Sequence, residues 1–367
     1  MVVERFPPDI GGSGVRYSEI AKRLRKNNEI DVFTLGSVST RDSSEGPNVY
    51  RSNLANSSMA HSLRLDRVAT LSRSTFFGIL SHSYDIIDVD FWPMFPFFSA
   101  KTAKPTTPTV VSWNVAWPFS YRKLTSAMSN VLAHVICRLS TQNVTVSKTA
   151  KKNLVKYLGL AADKVEIIPN GVDDTFFKAR LEPQWGRMVF VGRLEPQKRL
   201  GLLIAAFKIV RKRHDDVELH IIGAGPLHQE ILEASKKVEG LYLHNPIPRE
   251  QVKELVSELC RSWLFVSASE FETFGLSMAE ALQIGLPAVL TQTPNNAAIG
   301  EIAIPGYNSI VVQHDNPKLI AEAIERLYEN EELWKKLSYN AKHSTSILSW
   351  DEVATQTEAM YKRVTKS

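Results

Sequence analysis

Cysteine is nearly absent from this 367-residue chain. Its two cysteines, Cys137 and Cys260, lie far apart and have no metal-ligand spacing. That excludes a disulfide scaffold and suits a reducing compartment. No apolar run reaches the length of a membrane span. The start shows no secretory leader pattern and runs straight into Pro7-Pro8 and Gly11-Gly12. The expectation is a soluble, cytoplasmic protein. Low-complexity tracts and short-period repeats are also missing. The most informative scarcity is local: no Asp or Glu occurs between Asp90 and Asp163.

That carboxylate-free span carries nine Lys and Arg residues and many aromatics, among them Phe91, Trp92, Phe97, Trp113 and Trp117. Residues 1–180 hold 23 basic against 15 acidic residues, while the chain as a whole is +5. A basic, aromatic-rich first half points to an anionic partner, either a membrane surface or a phosphate-bearing acceptor. Aromatics that form core and lysines that solvate a surface are the competing reading. No nucleic-acid reading motif is present, so a nucleic-acid partner is not expected.

The length favours two domains. An apolar content of 44% and a charged content of 23% are globular values. Apolar runs of strand length alternate with helical patterns, the mark of parallel α/β layers. Strands are expected at 1–4, 30–35, 86–89, 109–113, 144–147 and 165–168 in the first half. In the second half they fall at 188–191, 217–222, 241–244, 264–266, 288–291 and 309–312. Helices are expected at 14–26, 61–81, 121–139 and 148–158, then at 200–212, 226–238, 249–259, 276–283, 317–329 and 332–343, and one more amphipathic helix covers 350–366. The reading is a first Rossmann-like domain over 1–180, a second over 181–349 and a closing helix over 350–367. The linker is expected within 176–186, around Pro183. The first strand is short for a central strand, which implies a natural start a few residues upstream.

Four segments carry chemistry. The run Ser269-Glu270-Phe271-Glu272-Thr273-Phe274-Gly275-Leu276 leads into a short helix, 276–283, that contains Glu280. A turn opening a helix presents backbone N–H groups suited to phosphate. Carboxylates on either side suit sugar hydroxyls, although two surface glutamates on a plain strand–turn–helix would read the same way. Between the first strand and first helix, Pro7 to Gly14 includes Gly12, Ser13 and Gly14, which allow close backbone approach to a ligand. A dinucleotide fingerprint there lacks its third glycine. In Val191-Gly192-Arg193-Leu194-Glu195-Pro196-Gln197-Lys198-Arg199, cations follow a strand, at the sheet edge where open α/β folds bind ligands. Finally, Asp88-Val89-Asp90 ends a strand, and Asn114 follows another.

Together these segments, with Ile168-Pro169-Asn170-Gly171, Ile222-Gly223-Ala224-Gly225-Pro226 and Gly285-Leu286-Pro287, resemble the retaining glycosyltransferases of family 4, which have the GT-B fold. The Glu272-to-Glu280 spacing matches that family's Glu-x7-Glu motif. The resemblance implies two Rossmann-like domains facing a cleft, with a last helix crossing back to the first domain. It implies sugar transfer from a nucleoside-diphosphate-sugar, a UDP- or GDP-sugar in the first instance, with no further cofactor and no metal. Glu272, Arg193 and Lys198 are the implied catalytic group, Glu272 on the donor sugar and the two cations on the diphosphate, with Arg199 a less certain third. Gly12, Ser13, Gly14, Phe274, Gly275 and Leu276 would line the donor, and Glu280 would take the ribose. Asn245 to Pro248 falls where relatives contact the base.

Asp90 and Asn114 are the implied acceptor-side residues. The Asp88–Asp90 spacing matches a metal motif of a different glycosyltransferase fold, and is read here as acceptor side or as a strand-end cap. Many relatives carry histidine where this chain has Asn114, which cannot take up a proton. An inactive glycosyltransferase-like binding subunit and another GT-B chemistry, such as sugar-nucleotide epimerisation, are the alternatives. The acceptor implied is a glycan, a lipid-linked precursor or a small molecule, with peripheral contact at an anionic membrane.

Overall fold

A computed structural model of the chain describes residues 1–8, 11–36, 47–52, 65–114, 123–294, 296–313, 315–344 and 347–366. It divides into two compact units, Met1–Gly171 with Trp350–Ser367, and Val172–Ser349.

The first unit is a parallel sheet. Strand β1 (Asp31–Leu35) pairs with β2 (Asn48–Ser52), and β3 (Ile87–Asp90), β4 (Thr109–Trp113), β5 (Gln142–Thr145) and β6 (Val165–Ile167) follow in spatial order. Residues 1–3 join the two ladders. Val2 bridges both Phe33 and Val89, and its N–H donates to Asp88 O at 2.8 Å. The short first strand therefore occupies the centre of the sheet. The order is that of a doubly wound fold.

Helices α1 (Gly12–Leu24), α2 (Leu65–Leu80), α3 (Phe95–Ala103), α4 (Lys123–Leu139) and α5 (Lys148–Leu158) supply the crossovers. The aromatics of the carboxylate-free span are divided between core and surface. Phe91 stacks on Trp113 with ring centroids 3.9 Å apart, and both are buried with Phe97. Trp113 Nε1 donates to Asn143 Oδ1 at 2.9 Å. Trp117 and the Phe119–Arg122 stretch lie outside the described residues.

The second unit has six parallel strands in the spatial order Leu241–His244, Glu218–Ile222, Arg187–Val191, Leu264–Ser267, Ala288–Thr291, Ser309–Val312. The chain-order sequence 3-2-1-4-5-6 is again doubly wound. The inner strands Arg187–Val191, Leu264–Ser267 and Ala288–Thr291 are near-continuous buried runs, as strands covered on both faces are. Helices α6 (Asp174–Lys178), α7 (Leu200–Arg211), α8 (His228–Ser235), α9 (Val252–Cys260), α10 (Leu276–Gln283), α11 (Pro317–Tyr328) and α12 (Glu331–Lys342) complete it. Phe190, Phe207, Leu219, Ile221 and Trp263 are among its fully buried core residues.

The change of unit falls at Gly171–Val172, earlier than the expected 176–186 linker. That segment is tied down within the second unit. Lys342 Nζ donates to Phe177 O and Ala179 O at 2.9 and 3.1 Å. Glu182 and Gln184 N–H groups donate to Cys260 O and Arg261 O. The helix Trp350–Val364 belongs to the first unit and packs on α1. Its Tyr361 hydroxyl donates to the buried Asp88 carboxylate, which also accepts from Tyr17 at 2.7 Å and Ser112 at 3.0 Å.

Candidate functional site

The second unit gathers its polar residues at the carboxyl ends of its strands. After Val191 the chain turns through Arg193 into a one-turn 3₁₀ segment, Pro196–Lys198. The glycine turn after Ile222 braces this loop, with Leu194 N–H on Ala224 O at 2.8 Å and Leu227 N–H on Leu194 O at 3.0 Å. After Ser267 the chain runs through Glu270 and Glu272 to α10. Glu270 N–H donates to Gln197 O at 2.8 Å, and Ala297 N–H donates to Glu272 O at 2.7 Å. Thr293 Oγ1 donates to Glu270 O at 2.6 Å. The Glu272 backbone is thus pinned between the loop carrying Lys198 and the loop after the 288–291 strand.

This pinning brings Lys198 Nζ to 2.5 Å from Glu272 Oε1. Arg193 NH1 lies 2.8 Å from the buried Glu195 carboxylate, which also accepts from Gln197 Nε2. Arg193 and Lys198 are therefore each held by a carboxylate, and neither is a loosely solvated loop cation. Arg199 has a different role. It takes the left-handed conformation (φ 48°) at the start of α7. Its guanidinium donates to Ala268 O at 2.7 Å and Thr291 Oγ1 at 2.9 Å and pairs with Asp315. It ties three strand ends together, so the expectation of a third phosphate cation gives way to a buttress.

Gly275 precedes α10 at φ 75°, where an L side chain is strained. An added Cβ would also lie 3.1 Å from Met278 Cε. No side chain caps this helix start, and first-turn N–H groups have no acceptor within the helix. Phe274 is buried beneath the turn. Leu276 is the first helical residue, so Phe274–Leu276 form an anion-competent helix start beside the Lys198–Glu272 pair in sequence and fold.

Glu280 is 1% exposed. Arg249 NH1 donates to its Oε1, and its Oε2 is a buried oxygen with no hydrogen-bond partner. Burial raises the Glu280 pKa, Arg249 opposes the rise, and the nearby Asp173 adds to it. The second oxygen keeps unused acceptor capacity but is sealed from the surface. The two glutamates of the motif thus sit in unlike surroundings, Glu272 partly exposed on a cation and Glu280 buried on another. Arg249 and Glu195 were missed by sequence reasoning. Arg249 follows Pro248 without any pattern, and Glu195 resembles a surface glutamate until its burial is seen.

The first unit holds a separate cluster. Gly12 to Gly14 form the first turn of α1, where a loop was expected, because Gly11 is the residue in extended conformation before it. Gly14 is required by packing: a Cβ there would lie 2.5 Å from Arg5 O, whereas at Gly12 nothing lies within 4 Å. Ser13 extends its side chain to Asp90, which also accepts from Asn114 Nδ2 at 3.2 Å. Asp90 is pushed up to about 7, chiefly by burial; the Asn114 and Ser13 hydrogen bonds oppose the rise, and Asp88 and Glu4 add to it. Ser13, Asp90 and Asn114 are thereby one hydrogen-bonded group, which sequence spacing does not show. Buried Arg16 donates to Pro169 O and Asn170 Oδ1 at 2.8 and 3.1 Å, anchoring the Asn-Gly turn. Among the described residues, no group of three or more His, Cys, Asp or Glu is arranged to hold a metal.

Two doubly wound units, with cations, a helix start and a buried carboxylate near the strand ends of the second, define an open α/β class whose ligands bind at the carboxyl ends of the strands. The family models name it: "Glycosyltransferase Family 4" matches residues 10–176 and "Glycosyl transferases group 1" matches 172–344. The chain belongs to this glycosyltransferase family, and its fold is GT-B.

An uncharacterized glycosyltransferase of Methanocaldococcus jannaschii is 27% identical over 99% of this chain and 97% of its own length. Other curated relatives align only in part. The match spans 60% of a second uncharacterized M. jannaschii glycosyltransferase and 56% of the GPI3 subunit of phosphatidylinositol N-acetylglucosaminyltransferase from Saccharomyces cerevisiae.

Among solved structures, sucrose-phosphate synthase of Thermosynechococcus elongatus superposes with a TM-score of 0.83 at 14% identity, covering 99% of this chain and 98% of that one. Anabaena HepE in complex with UDP-glucose gives 0.75 at 16% identity, covering 99% of each. At these identities the likeness establishes fold alone.

Proposed function

We propose that this chain is a retaining glycosyltransferase that moves a sugar from a nucleoside-diphosphate-sugar to an acceptor hydroxyl. Cell-surface glycan or glycolipid synthesis is the setting proposed. The observation that carries the reading is the Lys198–Glu272 pair at 2.5 Å, at the carboxyl edge of the second sheet and next to the uncapped start of α10. A pair of this kind suits a donor that bears both diphosphate and sugar hydroxyls. Phosphate oxygens exchange with Glu272 as partners of Lys198, and Glu272 is released to accept sugar hydroxyls. Arg193, already oriented by Glu195, adds a second cation. Glu280 is assigned to the ribose.

In this mechanism the bond from the anomeric carbon to the diphosphate oxygen breaks as the acceptor oxygen bonds to the same face. The departing diphosphate oxygen takes the acceptor's proton, so no dedicated base is required. The protein's task is to stabilise charge growing on the diphosphate, which preorganised cations and helix N–H groups do. The reaction is proposed to proceed without a metal. The Ser13–Asp90–Asn114 group is assigned to the acceptor side. Asn114 gives its amide to Asp90, so the position often occupied by histidine in relatives is here one half of a carboxylate–amide pair.

UDP-sugars are the first donors to try, because a neighbour of the same fold was solved with UDP-glucose; GDP-sugars come next. The test is thermal stabilisation by UDP-, GDP- and ADP-sugars, compared between the native chain and Lys198→Ala, followed by nucleotide release with acceptors present. Stabilisation by one nucleotide class, lost in the variant, supports the reading. Donor binding without any turnover across glycan, lipid-linked and small acceptors would favour a binding subunit instead. Product that keeps its nucleotide and differs only in sugar stereochemistry would favour an epimerase.

A further inference from the structure

The crossovers from β2 to β3, β3 to β4, β4 to β5 and β5 to β6 all advance in one direction along the first sheet. Right-handed crossovers place α2, α3, α4 and α5 on the same side of it. This side is unusually apolar. Of thirteen large hydrophobic side chains exposed among the described residues, nine lie on these four helices.

Helix α4 shows the pattern most clearly. Its inner face buries Ala133, Ile136 and Cys137. Its outer face presents Met128, Val131, Val135 and Leu139, with Met128 and Val131 more than 60% exposed. A surface helix ordinarily carries charge there. The neighbouring α5 packs against α4 and exposes Lys148, Lys152 and Lys156 at four-residue spacing. Lys156 Nζ lies 5.0 Å from the ring centre of the exposed Tyr157. No carboxylate occurs from α3 through α5.

We propose that the α4–α5 face of the first unit is a peripheral docking surface for an anionic phospholipid membrane. The apolar stripe of α4 enters the boundary between headgroups and acyl chains, and the α5 lysines meet lipid phosphates. The geometry is that of lying on a membrane: no described helix is long and apolar enough to cross one. A second copy of the chain is a poorer occupant, because facing α5 helices would bring like charges together. The inference stands apart from the transferase reading, since a chain without turnover would still dock.

The experiment is co-flotation of the full chain with phosphatidylcholine vesicles, with and without about a third phosphatidylglycerol, at low and high salt. Two variants accompany it: Val131→Asp with Val135→Asp, and Lys148→Glu with Lys152→Glu and Lys156→Glu. Both alter exposed positions, and circular dichroism checks their fold. Binding to the anionic vesicles alone is expected. Reversing three lysines is expected to weaken it by about a hundredfold or more, at roughly a factor of five for each charge near the surface. The aspartate pair should abolish it at any salt. Failure to float with anionic vesicles, or equal binding to neutral ones, overturns the proposal. A concentration-dependent dimer dispersed by the aspartate pair, with no vesicle binding, assigns the stripe to a second copy.

Discussion

Replacing Asp90 by asparagine should alter how stability depends on pH, and in a direction fixed by its surroundings. Asp90 is buried, accepts from Ser13 and Asn114, faces Asp88 and Glu4, and is pushed up to about 7 from 3.8. Arg16 and Tyr17 feel its charge as well. Below about pH 4 the carboxyl is protonated in both folded and unfolded chains and has no effect on the slope. Between about 4 and 7 the folded chain keeps a proton that the unfolded chain has lost. Stability therefore falls as pH rises through this window and levels off above it. Three pKa units at about 1.4 kcal/mol each set an upper limit of about 4 kcal/mol. Asparagine cannot ionise, and it still offers a carbonyl to Asn114.

The assay is the melting temperature of native chain and Asp90→Asn in matched buffers from pH 4.5 to 8.5, read as the difference between them. That difference should move in favour of the variant as pH rises to about 7 and then stay constant. A uniform offset, from the lost charged hydrogen bonds, is compatible with the argument. Parallel curves across the range would refute it, because they would mean that Asp90 ionises in the fold as it does in the open chain.

Lys198→Ala should lower turnover by about 10²–10³ with the correct donor, measured as nucleotide release; turnover like the native chain's would remove Lys198 from the catalytic group. Arg249→Ala should destabilise the second unit by about 3 kcal/mol, because it strands a buried carboxylate. Adding Glu280→Gln should recover part of that loss, and a double-mutant cycle by denaturant titration reads the coupling. Gly275→Ala should cost about 1–2 kcal/mol from its left-handed backbone alone, whereas Gly12→Ala, at an open position, should be nearly neutral in the same assay.

Elements with a clear period were legible in the sequence. The strands at 109–113, 241–244, 288–291 and 309–312 and the helices at 148–158 and 276–283 were read with their observed bounds. Among the elements that were missed, two have identifiable reasons. Helix α3 begins Phe-Pro-Phe-Phe, apolar on every side and with proline in its first turn, so it shows no 3.6-residue period. Strand β2 is five residues of mixed polarity at a sheet edge, where one-sided burial leaves little pattern. At the candidate site, residue types and spacings were legible but pairings were not. Lys198 meets Glu272 across 74 residues, and Glu280 meets Arg249 across 31. Such partners follow from loop geometry at strand ends, which local sequence does not encode. The same holds for Ser13, assigned to the donor by motif and found hydrogen-bonded to Asp90.

The helix from Trp350 to Val364 has a consequence for the order in which the molecule is assembled. It completes a unit whose other residues end at Gly171. At that seam a Cβ on Gly171 would touch the Trp350 backbone at 2.7 Å. Topologically, the second unit is spliced into the first at two adjoining points. On the ribosome, the early half must therefore wait while some 180 residues are made before Trp350 and Tyr361 arrive. Asp88, whose hydroxyl partners include Tyr361, lacks one of them throughout that interval. Truncations that stop at the seam should expose this unfinished face to chaperones and proteases.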